Sequence, residues 1–426
     1  MNRYQYIDDK KTAIARKRSH CSSVQRVLLM GYNGANNTGS EARLLTIIDE
    51  VRSVLGEAVI ITIPTMNRAN LSRYITETKT LRIVEFPTVY LNALYHLVCD
   101  NDLILLVEGS CYMDTWSTFL LWAWLWVTWV ADKKGKPVVA YAIDCGHLSK
   151  MNQYLVTKVA SKTTLIITRT RKSALQMKKW KVKSPIIATA DCAFCFEPLG
   201  YENTQLHHIW PEAKDGVIGI APVDYYLWPV VIRLFGRTDR CYRWPFYYSD
   251  SSTRRKAKDI LARNYAGFAD RLIEKYKKPI AFFCMEQLDE PIVKAIQGYM
   301  RHDNMTRIIS SGKYNAFQMT TCLRSLDLLI TSRYHAAVLS LKELVPQIAV
   351  GHDKRLKHLY QELKMYPHYF VDSVSVDLFG QLEQLVSSLL NNPQAQRRTL
   401  IKHGHVQAKR ARRNQVILRR LLEREV

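Results

Sequence analysis

The chain has 426 residues, 61 of them Lys or Arg against 38 Asp or Glu, a formal net charge of +23, and 47% of its residues are hydrophobic. At roughly 150 residues per domain this length supports two or three domains with cores of their own. With 23% charged and 10% aromatic residues, wholesale disorder, a collagen-like chain and a small disulfide scaffold are excluded.

The charge is concentrated at the ends. Residues 1–26 carry seven basic side chains against two acidic ones, and residues 397–426 carry ten against two. Such ends bind nucleic acid or anionic lipid, or are solvated helix faces. No zinc-finger spacing or RNA-recognition consensus accompanies them, so the expected partner is an anionic membrane surface, as on a bacterial inner leaflet, and not nucleic acid. The nine cysteines are odd in number and lack framework spacing, and a polar, charged amino terminus stands where an apolar signal segment would be. Reduced thiols in a cytoplasmic protein are the expectation. Cys192 and Cys195 form one isolated C-x-x-C pair, so no metal site is expected.

In chain order, a basic tail (1–25) precedes a region (26–198) that alternates short β-rich runs with helix-length stretches. The runs fall at 27–32, 59–64, 81–86, 102–108, 137–143, 164–168 and 185–190. Within this region, residues 119–131 hold four tryptophans. Spanning a bilayer takes about twenty apolar residues, so this run is either a core helix or an interfacial segment with tryptophans at headgroup depth. Residues 199–215 lose apolar periodicity and read as a linker. A second series of runs follows at 216–222, 279–283, 306–310, 327–331, 346–350 and 369–372, interrupted by an insertion (224–252) rich in Trp, Tyr and Arg. The pattern predicts an α/β fold of two Rossmann-like domains, 26–198 and 216–390, with a cleft between them and a basic helix over 391–426. Ligands of open parallel sheets bind beyond the carboxyl ends of the strands, which makes that cleft the expected site.

Two segments carry chemistry. The first run leads into Gly31-Tyr-Asn-Gly34-Ala-Asn-Asn37-Thr-Gly39-Ser-Glu41-Ala, a glycine-rich turn opening a helix, where backbone N–H groups can approach an anion. It lacks both the dinucleotide G-x-G-x-x-G spacing and the phosphate-binding G-K-[ST]. In the second region, Arg333-Tyr-His335-Ala sits between a strand and a helix. There an arginine can clamp a carboxylate or phosphate, and a histidine can transfer protons near neutral pH.

Together these segments resemble the polysaccharide pyruvyl transferase family, whose two-domain fold is like that of the GT-B glycosyltransferases. Gly31 to Ala42 match its Gly-Tyr-x-Gly-x-x-Asn-x-Gly-Asp-Glu-Ala turn, with Ser40 in place of the aspartate. Glu108-Gly109-Ser110 keeps only the middle residue of its glycine triplet, and Arg169-Thr-Arg-Lys-Ser173 keeps its Arg-Asp-x-x-Ser step without the acid. Ala190-Asp191-Cys-Ala-Phe194, Arg333-Tyr-His335-Ala336 and the stretch from Pro346 to Lys354 follow in the family's order.

The resemblance implies transfer of a pyruvyl group from phosphoenolpyruvate, a donor substrate and not a cofactor, to a sugar of a cell-surface polysaccharide or its lipid-linked precursor, forming a ketal. Arg169, Arg333 and Lys354 would hold the donor's anionic groups, His335 would be the general acid, and Asn37, Gly39, Glu41 and Gly109 would line the facing wall, with Glu41 on an acceptor hydroxyl. Plainer readings stand beside these: Glu41 favouring a helix dipole, Arg169 pairing with Asp191, Lys354 as a solvated helix start. Glu108 would repel an anionic donor. A GT-B glycosyltransferase using a nucleotide sugar and a non-catalytic, membrane-recruiting member are the alternative functions. Location in the cytoplasm, at the inner membrane's periphery, is expected in each case.

Overall fold

The computed structural model describes residues 24–115, 117–201, 206–226, 230–232, 234, 246–248 and 251–423. Residues 1–23 of the basic tail and most of the 224–252 insertion lie outside the described residues.

Every run read from the sequence is a strand of one of two parallel sheets. The first sheet holds β1 (Arg26–Met30), β2 (Ile60–Thr65), β3 (Leu81–Glu85), β4 (Leu103–Leu106), β5 (Val138–Ile143), β6 (Leu165–Thr168) and β7 (Ile186–Ala188), in the order β3-β2-β1-β4-β5-β6-β7. The second holds β8 (Ile218–Ala221), β11 (Ile280–Cys284), β12 (Thr306–Ser310), β13 (Leu328–Thr331), β14 (Gln347–Gly351) and β15 (Phe370–Asp372), in the order β12-β11-β8-β13-β14-β15. Between β8 and β11, β9 (Val230–Ile232) and β10 (Phe246–Tyr248) pair as an antiparallel ribbon inside the insertion.

Strands buried on both faces explain the continuous apolar runs. In β1, Val27 and Leu29 enter the core on one side of the sheet, and Leu28 and Met30 the core on the other. In each sheet the strand order reverses beside the first strand, where crevices open at the carboxyl ends. The two crevices face each other. Between them the chain makes direct bonds, Thr38 N–H donating to Met285 O (2.8 Å) and Gln287 N–H to Asn36 O (3.2 Å).

Two connecting segments are more structured than their composition indicates. Leu206, Trp210 and Ala213, in the stretch read as a linker, are buried in the core of the second domain with Val217 and Leu326. The C-terminal helix, Gln394–Leu422, runs back across both domains. Leu400 packs in the second domain's core, and Leu418 and Leu422 pack with Val27 and Leu29 in the first. Its buried amides are specific: Gln396 Nε2 donates to Gln347 O (2.8 Å) and Asn414 Nδ2 to Ala190 O (3.0 Å). Arg410 pairs with Glu362 at 2.9 Å. One face of the basic helix is therefore a clasp, leaving Arg398, Lys402, Arg412 and Arg413 exposed.

Candidate active site

The cleft is lined from the ends of β1, β4, β6, β8, β11, β13 and β14, including Asn37, Gly39, Ser40, Glu108, Gly109, Arg169, Glu286, Asp289, Arg333, His335, Asp353 and Arg355. Asn37 caps the helix Thr38–Leu55, its side-chain oxygen accepting from the N–H groups of Gly39 and Ser40 at 3.1 Å.

On the first domain's side a buried ionic network forms the floor. Asp191 accepts from Arg43 at 2.6 Å and from Arg169 at 2.8 Å, and Arg169 also donates to Asp144 at 3.1 Å. His335 arrives from the other domain with Nε2 3.4 Å from Asp191. Burial opposes charge on Asp191, but Arg43, His335 and Arg169 together overcome it and hold the carboxyl well below its usual range. Burial lowers the His335 pKa, with Asp191 pulling the other way, so the imidazole is neutral at pH 7 in the protein alone. The Arg169 guanidinium lies 4.4 Å from the Tyr334 ring, a further contact between the domains.

Two glycines make this convergence possible. A Cβ on Gly39 would stand 1.9 Å from His335 Nδ1, and one on Gly109 would stand 2.7 Å from Arg169 Nη1. Both line the cleft, but what they admit is the protein's own His335 and Arg169. On the second domain's side, Arg333 is gripped by Asp289 through two nitrogens and by Glu286 at 3.4 Å. Burial, opposed by Arg333, raises the Glu286 carboxyl to about 6.

Two expected site residues are elsewhere. Glu41 points into the domain interface, where Oε2 accepts from Ala316 N–H at 2.9 Å at the start of the helix Ala316–Arg324. Burial raises its pKa to about 8 despite Arg73 and that hydrogen bond. It joins the domains and does not line the cleft. Lys354 is an exposed first residue of the helix Lys354–Glu362; the cleft-lining cation there is Arg355, held by Asp353 at 2.6 Å. A helix start turns successive side chains about 100° apart, which leaves Lys354 in solvent and Arg355 on the cleft.

Glu108, expected from the sequence only to repel an anionic donor, lines the cleft. Its carboxylate accepts from Ser40 Oγ at 3.2 Å and from Ser110 Oγ at 3.0 Å. Among the described residues no Lys or Arg lies within 4.0 Å of it, unlike Glu286, Asp289 and Asp353.

A sequence model described as polysaccharide pyruvyl transferase matches residues 37–354, about three quarters of the chain. The chain belongs to the polysaccharide pyruvyl transferase family. No significant match was found among curated protein sequences. Among solved structures, UDP-GlcNAc 2-epimerase from Neisseria meningitidis, bound to UDP-GlcNAc, is similar at TM-score 0.59 and 12% identity, over 93% of this chain and 100% of that one. The α,α-trehalose 6-phosphate synthase from Burkholderia multivorans is similar at TM-score 0.56 and 10% identity, over 94% and 98%. At such identities the likeness is one of fold, two Rossmann-like domains in the GT-B arrangement.

The departures from the pyruvyl transferase pattern have local explanations. Thr170, where the family has an acid, caps the helix Arg171–Lys179 through a bond from Ser173 N–H at 3.1 Å, which a threonine does nearly as well as an aspartate. Ser40 and Glu108 are partners: the carboxylate missing at 40 is met by one at 108, 3.2 Å from the Ser40 hydroxyl.

Proposed function

We propose that the protein works in the cytoplasm and transfers the pyruvyl group of phosphoenolpyruvate to two hydroxyls of a sugar, in a cell-surface polysaccharide or its lipid-linked precursor. The observation that carries this reading is the convergence of Arg169, Arg333 and His335 from both domains on one cleft, in a chain of this family.

In the balanced reaction the donor's methylene carbon gains a proton and becomes a methyl. Two C–O bonds form at its central carbon, the bond to phosphate oxygen breaks, and phosphate leaves with the second hydroxyl proton. Arg333, held by Asp289 and Glu286 at the open side of the cleft, is preset to meet the donor's anionic groups, and Arg169 adds positive charge from the closed floor. His335 supplies the proton to the methylene carbon; a donor carrying two to three negative charges raises a pKa that burial, Arg169 and Arg43 depress. Glu108, held by two serine hydroxyls, takes the acceptor-hydroxyl role first given to Glu41.

The test is incubation of the purified protein with phosphoenolpyruvate or a UDP-sugar and free or lipid-linked oligosaccharide, read by mass. A pyruvate ketal is expected; an added hexose instead would make it a glycosyltransferase, and no product with any acceptor would favour a non-catalytic role. Arg333→Ala and His335→Ala should each lower kcat/KM by about a hundredfold or more, and intact transfer in either variant would sink these assignments.

A further inference from the structure

Three helices cover one side of the first sheet: Leu91–Cys99, Thr118–Lys133 and Lys150–Ala160. Their inward residues Leu94, Trp124 and Val156 share a core with Met30 and Ile104. The middle helix, short of bilayer length, carries Trp122, Trp126 and Trp129 at the i, i+4, i+7 spacing of one helix face, Trp126 half-buried at the edge of that core and the other two exposed. Trp122 and Trp129 are 37% and 39% exposed, and Trp126 stacks on Trp129 at 5.2 Å. The flanking helices add Leu91 (46% exposed), Met151 (59%) and Tyr154 (61%).

Two of the polar tips are already satisfied. Trp122 Nε1 donates to Asn152 Oδ1 at 3.0 Å and Trp126 Nε1 to Leu91 O at 2.9 Å, so these rings present apolar faces outward. Around them stand the exposed lysines Lys133, Lys134, Lys150 and Lys158. The nearby Asp132 is paired with Lys162 at 2.5 Å. A contiguous aromatic patch with a lysine rim is uncommon on a surface that faces only water.

We propose that this face docks on an anionic phospholipid surface, with the exposed tryptophans and Tyr154 at headgroup depth and the lysines against lipid phosphates. Charge selects this occupant over a second copy of the chain, which would bring one lysine rim against another. The placement differs from that expected of the basic ends. The C-terminal helix packs in the core on the opposite side of the same sheet, so its exposed arginines point away from a bilayer that meets the tryptophans. The same tryptophan-rich helix lines the cleft with Leu120, Leu121 and Trp124, which brings the cleft beside the lipid. The inference stands apart from the choice of donor.

The experiment is co-sedimentation of the full chain with vesicles of phosphatidylglycerol and phosphatidylethanolamine, with phosphatidylcholine vesicles alongside and brominated lipid to quench tryptophan fluorescence. Binding to the anionic vesicles is expected to weaken with salt and to quench fluorescence. Trp122→Gln with Trp129→Gln should weaken it about tenfold or more, and Lys150→Ala with Lys158→Ala roughly thirtyfold. Arg412→Gln with Arg413→Gln should change it less than about twofold. Circular dichroism and a melt confirm that each variant folds, and the lysine pair, exposed on the surface, stands in if the tryptophan pair does not. The inference is overturned by absent binding to anionic vesicles, by loss of binding in the arginine variant alone, or by a dimer that the tryptophan pair dissociates.

Discussion

Arg169 and Arg333 each follow a strand's carboxyl end, each line the cleft and each meet two carboxylates, yet they differ in what surrounds them. The Arg169 side chain is 1% exposed and its partners Asp144 and Asp191 are 2% and 0% exposed, a closed network that includes Arg43. The Arg333 side chain is 16% exposed and one partner, Glu286, is at 11%, open to the cleft. A charge set in a closed network holds the fold together because its removal strands buried partners; one at an open edge can exchange a partner for a ligand. The first domain supplies a rigid floor and the second a grip that a donor can engage.

That contrast can be broken at several levels. Arg169→Ala should cost about 3–5 kcal/mol in urea unfolding, because Asp144 and Asp191 lose a buried counter-charge. Arg333→Ala should cost less, about 2 kcal/mol, since water reaches Glu286 from the cleft and the buried Asp289 keeps its bond from Glu286 N–H, while activity falls at least as far as for Arg169→Lys; equal stability losses at the two positions would erase the distinction.

At the domain interface Glu41 sharpens it through pH. Its folded pKa of about 8 lies above the ordinary 4.5, so the folded state keeps a proton that the unfolded chain gives up. The stability this contributes is fully present below pH 4.5 and is lost as pH rises to about 8. Glu41→Gln keeps the acceptor for Ala316 and should flatten the slope, gaining roughly 1–3 kcal/mol at alkaline pH, as calorimetry across that range would register. The smallest effect belongs to Lys354→Ala: an exposed helix start should leave kcat/KM within about twofold, whereas Arg355→Ala, on the cleft, should lower it.

The strands of the two parallel sheets, unlike the β9–β10 ribbon of the insertion, were legible because each is a local apolar run bounded by turn residues, and the switch-point rule then located the cleft. Arg333 and His335 were legible because they sit just beyond a strand end that such a rule already selects. Glu41 was not: a first-turn glutamate reads as a dipole partner or a base, and only the approach of Ala316 from a chain segment 275 positions away shows it to be a bridge. Glu108 read as a repulsive departure, since the hydroxyls that hold it come from Ser40 and Ser110 on two different elements. The tryptophan run was ambiguous for a related reason: one helix buries Trp124 in the core and leaves Trp122 and Trp129 exposed, a division set by which face packs on the sheet.

By itself the sequence determined the two α/β domains, the strands, the family and the loops that meet at the cleft, all of which follow from periodicity and short ordered motifs. The tertiary structure decided which charges pair, which glycines admit His335 and Arg169, and that the basic C-terminal helix clasps both domains. Those outcomes depend on distances of a few ångström between residues far apart in the chain, which no periodicity along the sequence encodes.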